Sequence, residues 1–549
     1  MHVQRRDRGH GTHVAGTAAG QGVLADGNTF TGPYDASTIG THTWNVAPGA
    51  APEASIRAYR VFGCDGSAND DVILAAIDRA VADGVDVISM SLGSTWGNAT
   101  DPLQVALDNA TRSGVLAVVA AGNEGANAYL VGGPSTANTV LSVAATDTSS
   151  STLPAVAITG DLTLSAQNSN EFTFPTGPVS GTTVDVGLGC SDADFTPAAG
   201  KIAIAHRGDC TRVERAVHAT AAGALAVIFI NNVAGYPQVE GPIDGATVPF
   251  VGVSDSVGAS FVDGQSLTIA ATSPIPNPAY TNFATFSSNG PRQDSAAKPD
   301  ISAPGVSILS AAVGTGTDGQ LMSGTSMATP HTAGIALLVR QAHPTWSPNA
   351  VKAALMSTAN PGGIGDWNVR RGGTGMVAAR AATDTVAYLS TRDGRDNLSF
   401  GFRQLRSAWS DTRTIRLTNT SNSTLTYDLA TQLDTLGLSR FSARIEPSVA
   451  RVEAHSTREI EVTLTIRDPQ NLPDALTDDA GGLSAISGVL VATPRSSSAG
   501  VYTLRSPIML VPYGLSDIQA RRVTGLPRAS VIVPVVVVVA LVVVALVPT

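Results

Sequence analysis

Gly324-Thr325-Ser326-Met327-Ala328-Thr329-Pro330 runs directly into Ala333, Ile335, Ala336, Leu337, Leu338 and Val339, so a serine opens an apolar helix. A hydroxyl placed there can act as a nucleophile. Glycine and small neighbours admit a substrate backbone, and the unpaired amides of the first turn can hydrogen-bond an oxyanion. Pro330 is expected in that first turn, where its missing N–H costs no helical bond. A lone serine in this setting is more often a helix cap. Gly9-His10-Gly11-Thr12-His13-Val14-Ala15-Gly16 is a second candidate, two histidines three apart among residues too small to fill a core. A metal pair is disfavoured, because there is no HExxH motif and no acidic residue between the two. The third is Ala120-Ala121-Gly122-Asn123-Glu124-Gly125, where an asparagine at the end of a strand can offer its amide N–H to developing negative charge. Its plainer reading is a turn asparagine in a left-handed conformation.

The elements that must position these residues alternate between strand and helix. Ile56 to Val61 reads as a strand, Asp70 as an N-cap, and Val72, Ala76, Ile77, Ala80 and Val81 recur at helical spacing. Val85 to Leu92 and Val115 to Ala121 read as buried strands, with a helix between them that starts at Asp101-Pro102. Short apolar strands separated by helices make an α/β fold with a parallel sheet covered on both faces and a site at the strands' carboxyl ends. From about residue 152 to 281 the texture turns to Thr, Ser, Gly and Pro, which reads as an insertion, and helical rhythm returns after about 282. Beyond about 390 the alternation is strict. Ile460, Val462, Leu464 and Ile466 face one way and Glu459, Glu461, Thr463 and Thr465 the other, as in an antiparallel sandwich; further strands are expected around 414–418, 489–493 and 501–510.

A chain of 549 residues suits three or four such units. Only 14% of residues are charged and 43% are hydrophobic, which excludes a disordered chain. The net charge is −10 (34 basic against 44 acidic residues) with no basic block, so nucleic acid is not an expected partner. Three cysteines, Cys64, Cys190 and Cys210, form no CxxC or Cys/His set and leave room for one disulfide and one thiol. His2 to Arg8 is polar, so no signal peptide is visible. Residues 531–547 are wholly apolar and preceded by Arg521, Arg522 and Arg528; as a helix of about 25 Å they are just long enough for a membrane anchor. A packed hydrophobic tail and a truncated or misread chain end are the alternatives.

Taken in order, the His10, Asn123 and Ser326 motifs resemble those of the subtilisin-like serine peptidases (peptidase family S8). The resemblance implies that His10 is the general base, Ser326 the nucleophile and Asn123 an oxyanion-hole amide in acyl transfer to protein or peptide substrates. Ser91-Leu92-Gly93, with Ala121 and Gly122, is similar to segments that hold substrate backbone in that family. Phe286-Ser287-Ser288-Asn289-Gly290-Pro291, Lys298-Pro299-Asp300 and Ala303-Pro304-Gly305 match the stretch before its serine. The insertion resembles a protease-associated (PA) domain, from Gly200 to Asn232, and on that resemblance Cys190 and Cys210 pair within it. The region after 390 is similar to fibronectin-III-like sandwiches. The division expected is a catalytic domain at 1–151 and 282–388, the PA-like insertion at 152–281, the sandwich at 389–517 and an anchor at 529–548. No cofactor is needed for the chemistry; the resemblance allows structural calcium, for which no ligand set is readable.

The family's triad acid belongs to an Asp-Thr/Ser-Gly motif some tens of residues before the histidine, and only nine residues precede His10. Asp7, three positions from it, reads as a flank of the histidine motif. The chain is therefore expected to be N-terminally incomplete, and the working enzyme to be extracellular or on the cell surface. Two other classes compete. An α/β-hydrolase esterase would place its histidine after Gly324-x-Ser326-x-Ala328, against the order seen here. A non-catalytic surface-binding protein gains weight only if the acid is absent.

Overall fold

An unbroken apolar run can be a strand only where both its faces are covered. In the computed structural model, which describes residues 9–63, 67–208, 210–233, 235–243, 245–434, 441–469, 472 and 484–515, the chain meets this condition with helices on either side of one sheet. Its first part supplies α1 (His10–Ala19), α2 (Asp70–Ala82), β1 (Val87–Met90), α3 (Pro102–Arg112), β2 (Leu116–Ala120) and β3 (Leu141–Thr146). The chain then builds a closed barrel from β4 (Thr152–Thr159), β5 (Leu164–Asn168), β6 (Val179–Asp185), β7 (Ile202–His206), helix α4 (Arg212–Ala221), β8 (Ala226–Ile230), β9 (Phe250–Val253) and β10 (Ser266–Pro276). It returns through β11 (Ile301–Pro304), a hairpin of β12 (Ile308–Ala311) and β13 (Gly319–Met322), then α5 (Thr325–Ala342) and α6 (Pro348–Thr358).

The sheet order is β11-β3-β2-β1, all parallel. Leu116 and Val118 point to one face, against Ala328, Ala336 and Val339 of α5. Ala117 and Val119 point to the other, against Ile73 and Ile77 of α2 and Leu103 and Leu107 of α3. Each fully buried leucine or valine of this kind stabilises the fold by about 1.5–3 kcal/mol. The expected strand at Ile56–Val61 does not form: residues 55–63 are irregular and Ile56 is 53% exposed. The strand preference of β-branched residues is realised only by packing against neighbours; residues 56–61 pair with no strand, and β1 has no partner on its outer edge, among the described residues. The N-cap of α2 is Asn69, one residue ahead of the expected Asp70.

The barrel enters and leaves the sheet through a narrow neck, in which the Asp147 amide donates to Asn282 O at 2.8 Å and the Asn277 amide to Ser151 O at 2.8 Å. The texture of the insertion suggested strands alone, yet α4 lies within it, begun by a reciprocal capping box between Thr211 and Glu214. Arg215 on that helix is fully buried and donates to three carbonyl oxygens, of Leu188, Cys210 and His206. Cys190 and Cys210 are joined as a disulfide with Cα atoms 5.5 Å apart.

Beyond α6, two sheets pack face to face, formed from β14 (Ala387–Ser390), β15 (Leu398–Leu405), β16 (Trp409–Asn419), β17 (Leu425–Asp434), β18 (Phe441–Glu446), β19 (Val449–Val452), β20 (Ser456–Ile466), β21 (Ile486–Pro494) and β22 (Leu504–Gly514). The orders are β14-β16-β20-β18 and β15-β22-β21-β17-β19. Ile460, Val462, Leu464 and Ile466 are buried between them, whereas Glu459 and Glu461 are exposed. The pairing is not purely antiparallel, because β15 and β22 run parallel. Val489, Val491, Met509 and Val511 share a core with Ala297 and Val369 of the α/β unit, with Tyr129 and Trp367 packed on it.

A buried charge cluster also joins the two units. Lys352 of α6 donates to the carbonyl oxygens of Asn138, Gly394 and Arg395 at 3.2, 2.8 and 3.3 Å and lies 4.0 Å from Asp396 Oδ2. Burial pushes the Asp396 carboxyl up to about 6, against the pull of Lys352. Its folded pKa thus exceeds the unfolded value of about 4, so the stability it contributes is complete below pH 4 and is lost as pH rises through 6. Lys352→Met removes the compensating charge and is expected to cost about 3–5 kcal/mol at pH 8. The loss should be smaller at pH 4.5, where Asp396 is protonated; denaturant titration at the two pH values checks this, and equal losses would show that the charge of Asp396 is not involved.

Asp7, Cys64, the three arginines at 521, 522 and 528 and the apolar run 531–547 lie outside the described residues. Among the described residues no helix is long and apolar enough to cross a membrane.

Candidate active site

Ser326 is the second residue of α5, half-buried, while Thr325 and Met327 to Pro330 around it are buried. Pro330 falls in the second turn of the helix rather than the first. With no N–H it cannot donate to the carbonyl four residues back, which is that of Ser326. The Ser91 hydroxyl donates there instead, at 2.7 Å, while the Ser326 hydroxyl lies 3.4 Å from Ser91 O. A residue just beyond the end of β1 therefore fills the gap that the proline leaves and fastens the serine to the sheet's carboxyl edge. Leu92 is half-buried and Gly93 exposed beyond it, and Ser94 N–H donates to Gly133 O at 2.8 Å.

Asn123 follows β2 at the same edge and is exposed. Its Oδ1 accepts from both the amide and the hydroxyl of Thr325, each at 2.9 Å. These two donors assign the amide's orientation and turn Nδ2 toward the opening of α5, where it lies 3.7 Å from the position a Cβ on Gly324 would take. The loop is tied down on its other side. Ala121 N–H donates to Val143 O at 3.0 Å, Glu124 N–H to Ser288 Oγ at 3.0 Å and Gly125 N–H to Phe286 O at 2.8 Å. Gly122 has φ +114°, and Ser288 Oγ would sit 2.6 Å from any Cβ placed there, so no larger residue fits. Thr325 is a residue that the motif reading passed over. Its hydroxyl beside the serine was the available signal, but its partner lies 202 positions away.

His10 opens α1 and is half-buried. α1 packs on α5 almost backbone to backbone: a Cβ on Gly334 would come within 2.6 Å of Ala18 O. The two helices that begin with His10 and near Ser326 are thus held side by side. His13, one turn along, is fully buried and donates from Nε2 to Ile308 O at 2.9 Å and Gln320 O at 3.0 Å, bridging β12 and β13. Its Nδ1 is buried without a hydrogen-bond partner, and burial holds its pKa below the ordinary imidazole value. Through these two bonds the ring fastens α1 to the hairpin. The His13 carbonyl oxygen accepts from Thr17 Oγ1 at 2.9 Å and Ser310 Oγ at 2.8 Å. Burial likewise lowers the pKa of His331, whose Nδ1 lies 3.0 Å from Met327 O. Among the described residues no group of three or more His, Cys, Asp or Glu side chains converges as a metal set.

Ser91, Asn123 and Ser326 therefore meet at the carboxyl end of β1 and β2, with α1 packed against the serine helix; the Cys190–Cys210 pair belongs to the barrel. A parallel sheet covered by helices and crossed by a serine helix of this kind is a subtilisin-like α/β architecture. The chain belongs to the subtilase family (Peptidase S8), whose profile matches residues 2–402. It is 34% identical over 370 residues to the minor extracellular protease Vpr of Bacillus subtilis, covering 64% of this chain and 42% of that protein. It is 35% identical over 392 residues to the subtilisin-like protease SBT1.6 of Arabidopsis thaliana (64% and 48%), and 32% identical over 494 residues to a PII-type proteinase of Lactococcus lactis (78% and 25%). The matches span less than half the length of these relatives.

Proposed function

We propose that the protein is a serine endopeptidase that cleaves proteins through an acyl-enzyme on Ser326. The observation that carries this reading is the capture of Asn123 Oδ1 by Thr325, which leaves an amide N–H facing the space before the serine helix. In this mechanism Ser326 Oγ attacks the scissile carbonyl carbon and its proton passes to His10. The oxyanion of the tetrahedral intermediate accepts from Asn123 Nδ2 and an amide at the start of α5; the leaving amine then takes the proton from His10, and water repeats the sequence to release the acid. Ser91, Leu92, Gly93, Ala121 and Gly122 line the path of the substrate backbone.

In this mechanism a carboxylate orients the His10 ring and stabilises its imidazolium. Among the described residues β1 has no partner on its outer edge, which supports a further strand pairing there, since a bare edge presents unpaired N–H and C=O groups. The barrel is read as a PA domain and the C-terminal sheets as a fibronectin-III-like sandwich. The site of action is outside the cell or at its surface, with residues 531–547 as the anchor. The chemistry requires no cofactor.

Reaction with a fluorophosphonate, followed by peptide mapping and casein hydrolysis, tests the proposal. Labelling on Ser326 with parallel loss of hydrolysis is the expected result. A folded protein that stays unlabelled at Ser326 and hydrolyses no casein would leave only a surface-binding role.

A further inference from the structure

Arg212, the first residue of α4, pairs with Glu240 in a contact that leaves the two side chains 17% and 10% exposed, and also donates to Gln238 Oε1 at 2.7 Å. The Glu240 amide donates to Ser169 O at 2.7 Å. At the near end of the same loop, Asn231 Nδ2 donates to Gly235 O at 2.9 Å, and Asn231 Oδ1 accepts from Arg207 at 2.8 Å. Segment 235–241 of the barrel is thus tied to its own domain at both ends, unlike a mobile lid, which makes few such bonds.

The outer side of this loop meets the base of the β12–β13 hairpin. Ser307 Oγ donates to Val239 O at 2.8 Å, and Leu321 Cδ1 fills the space that a Cβ on Gly241 would need. Ser307 is held in a left-handed conformation, φ 51°, and its amide donates to Ser323 Oγ at 2.9 Å. Gly324 N–H donates to Gly305 O at 2.8 Å, so the two chains that leave the hairpin are clamped together immediately before Ser326. The same hairpin holds His13 through Ile308 O and Gln320 O, and Ser310 holds the His13 carbonyl oxygen, one turn from His10. A single contact patch on the barrel is therefore hydrogen-bonded, through one small hairpin, toward both reacting side chains.

We propose that loop 235–241, locked by Arg212 and seated on Ser307 and Leu321, is a positioning element for Ser326 and His10, so that the barrel governs turnover and not only admission of substrate. This rests on the serine peptidase reading. Arg212, Glu240 and Ser307 are assigned an action through the hairpin to which they connect, where a displacement of about 1 Å at the reacting atoms is enough to slow the chemistry.

The test compares Ser307→Ala, Arg212→Met and Glu240→Gln in the full chain. Readouts are kcat and KM on a peptide substrate, the rate of fluorophosphonate labelling, and hydrogen exchange of segments 10–19 and 308–322. Arg212→Met and Ser307→Ala are expected to lower kcat on the order of tenfold, with KM changed less than about twofold. Exchange should rise in both segments. Glu240→Gln keeps an acceptor oxygen for Arg212 and should retain most of the turnover. Ser307→Ala leaves the barrel's own bonds intact, which guards against a result that merely reports misfolding of the barrel. A raised KM at unchanged kcat would make the loop a wall of the cleft and overturn the proposal, as would unchanged exchange in both segments. If the parent neither hydrolyses nor labels, the peptidase reading fails separately, and the exchange data still decide whether the barrel is coupled to the hairpin.

Discussion

Replacing Ser326 by alanine is expected to lower kcat for casein hydrolysis by about six orders of magnitude in any preparation that cleaves it. The fold should be almost unaffected. Among the described residues the Ser326 hydroxyl makes only the long 3.4 Å contact to Ser91 O, and it is the Ser326 carbonyl, retained in the variant, that takes the Ser91 hydroxyl at 2.7 Å. A stability change under about 1 kcal/mol follows, because one weak hydrogen bond on a partly exposed group is lost. Hydrolysis per mole of folded protein and the denaturation midpoint, measured on the same sample, check both halves. Undiminished proteolysis would return Ser326 to the role of a helix cap.

Asn123 permits a sharper experiment, because its two ends do different things. Oδ1 holds the amide and hydroxyl of Thr325, and Nδ2 faces the opening of α5. Asn123→Leu removes both functions: kcat should fall about 100- to 1000-fold with little change in KM, and stability should fall by about 1–3 kcal/mol as the buried Thr325 hydroxyl loses its acceptor. Asn123→Asp keeps the acceptor oxygens and removes only the N–H donor. Its kcat should fall at least as far, while its stability stays near that of the parent. If the aspartate variant were fully active, Asn123 would act only as a brace for the loop.

The parts of the site that were legible in the sequence are those set by short-range pattern. The apolar run around Leu116–Ala120 declared a strand covered on both faces, and glycine beside Ser326 and Asn123 declared places where a backbone comes close. What was not legible depends on partners far along the chain. Pro330 looked harmless as a first-turn residue; it lies a turn further in, and the Ser326 carbonyl that it leaves open is taken by Ser91, 235 positions from Ser326. Two closely spaced histidines raised the question of a metal, but His13 spends its N–H on the two strands of a hairpin some 300 residues later. The run at Ile56–Val61 has strand composition and no neighbour to pair with among the described residues. Helix α4, by contrast, carried a Thr-x-x-Glu signature at Thr211 that could have been read.

The neck beneath the barrel bears on the order in which the molecule assembles. β3 and β11 lie side by side in parallel register, yet the Ser142–Asp300 contact between them closes 158 positions of chain. Parallel pairing over such a distance is slow and leaves apolar strand edges waiting. Because the chain ends of the barrel meet at Asp147–Asn282 and Ser151–Asn277, a barrel that has already folded delivers β3 and β11 to each other across roughly a seventh of that length. Closure entropy then falls by about 2 kcal/mol, at about 0.6 kcal/mol for each halving. Viewed this way, the insertion is a folding aid for the sheet that it interrupts, and a variant whose barrel folds slowly would be expected to lose its catalytic unit to aggregation before any loss of equilibrium stability could be measured.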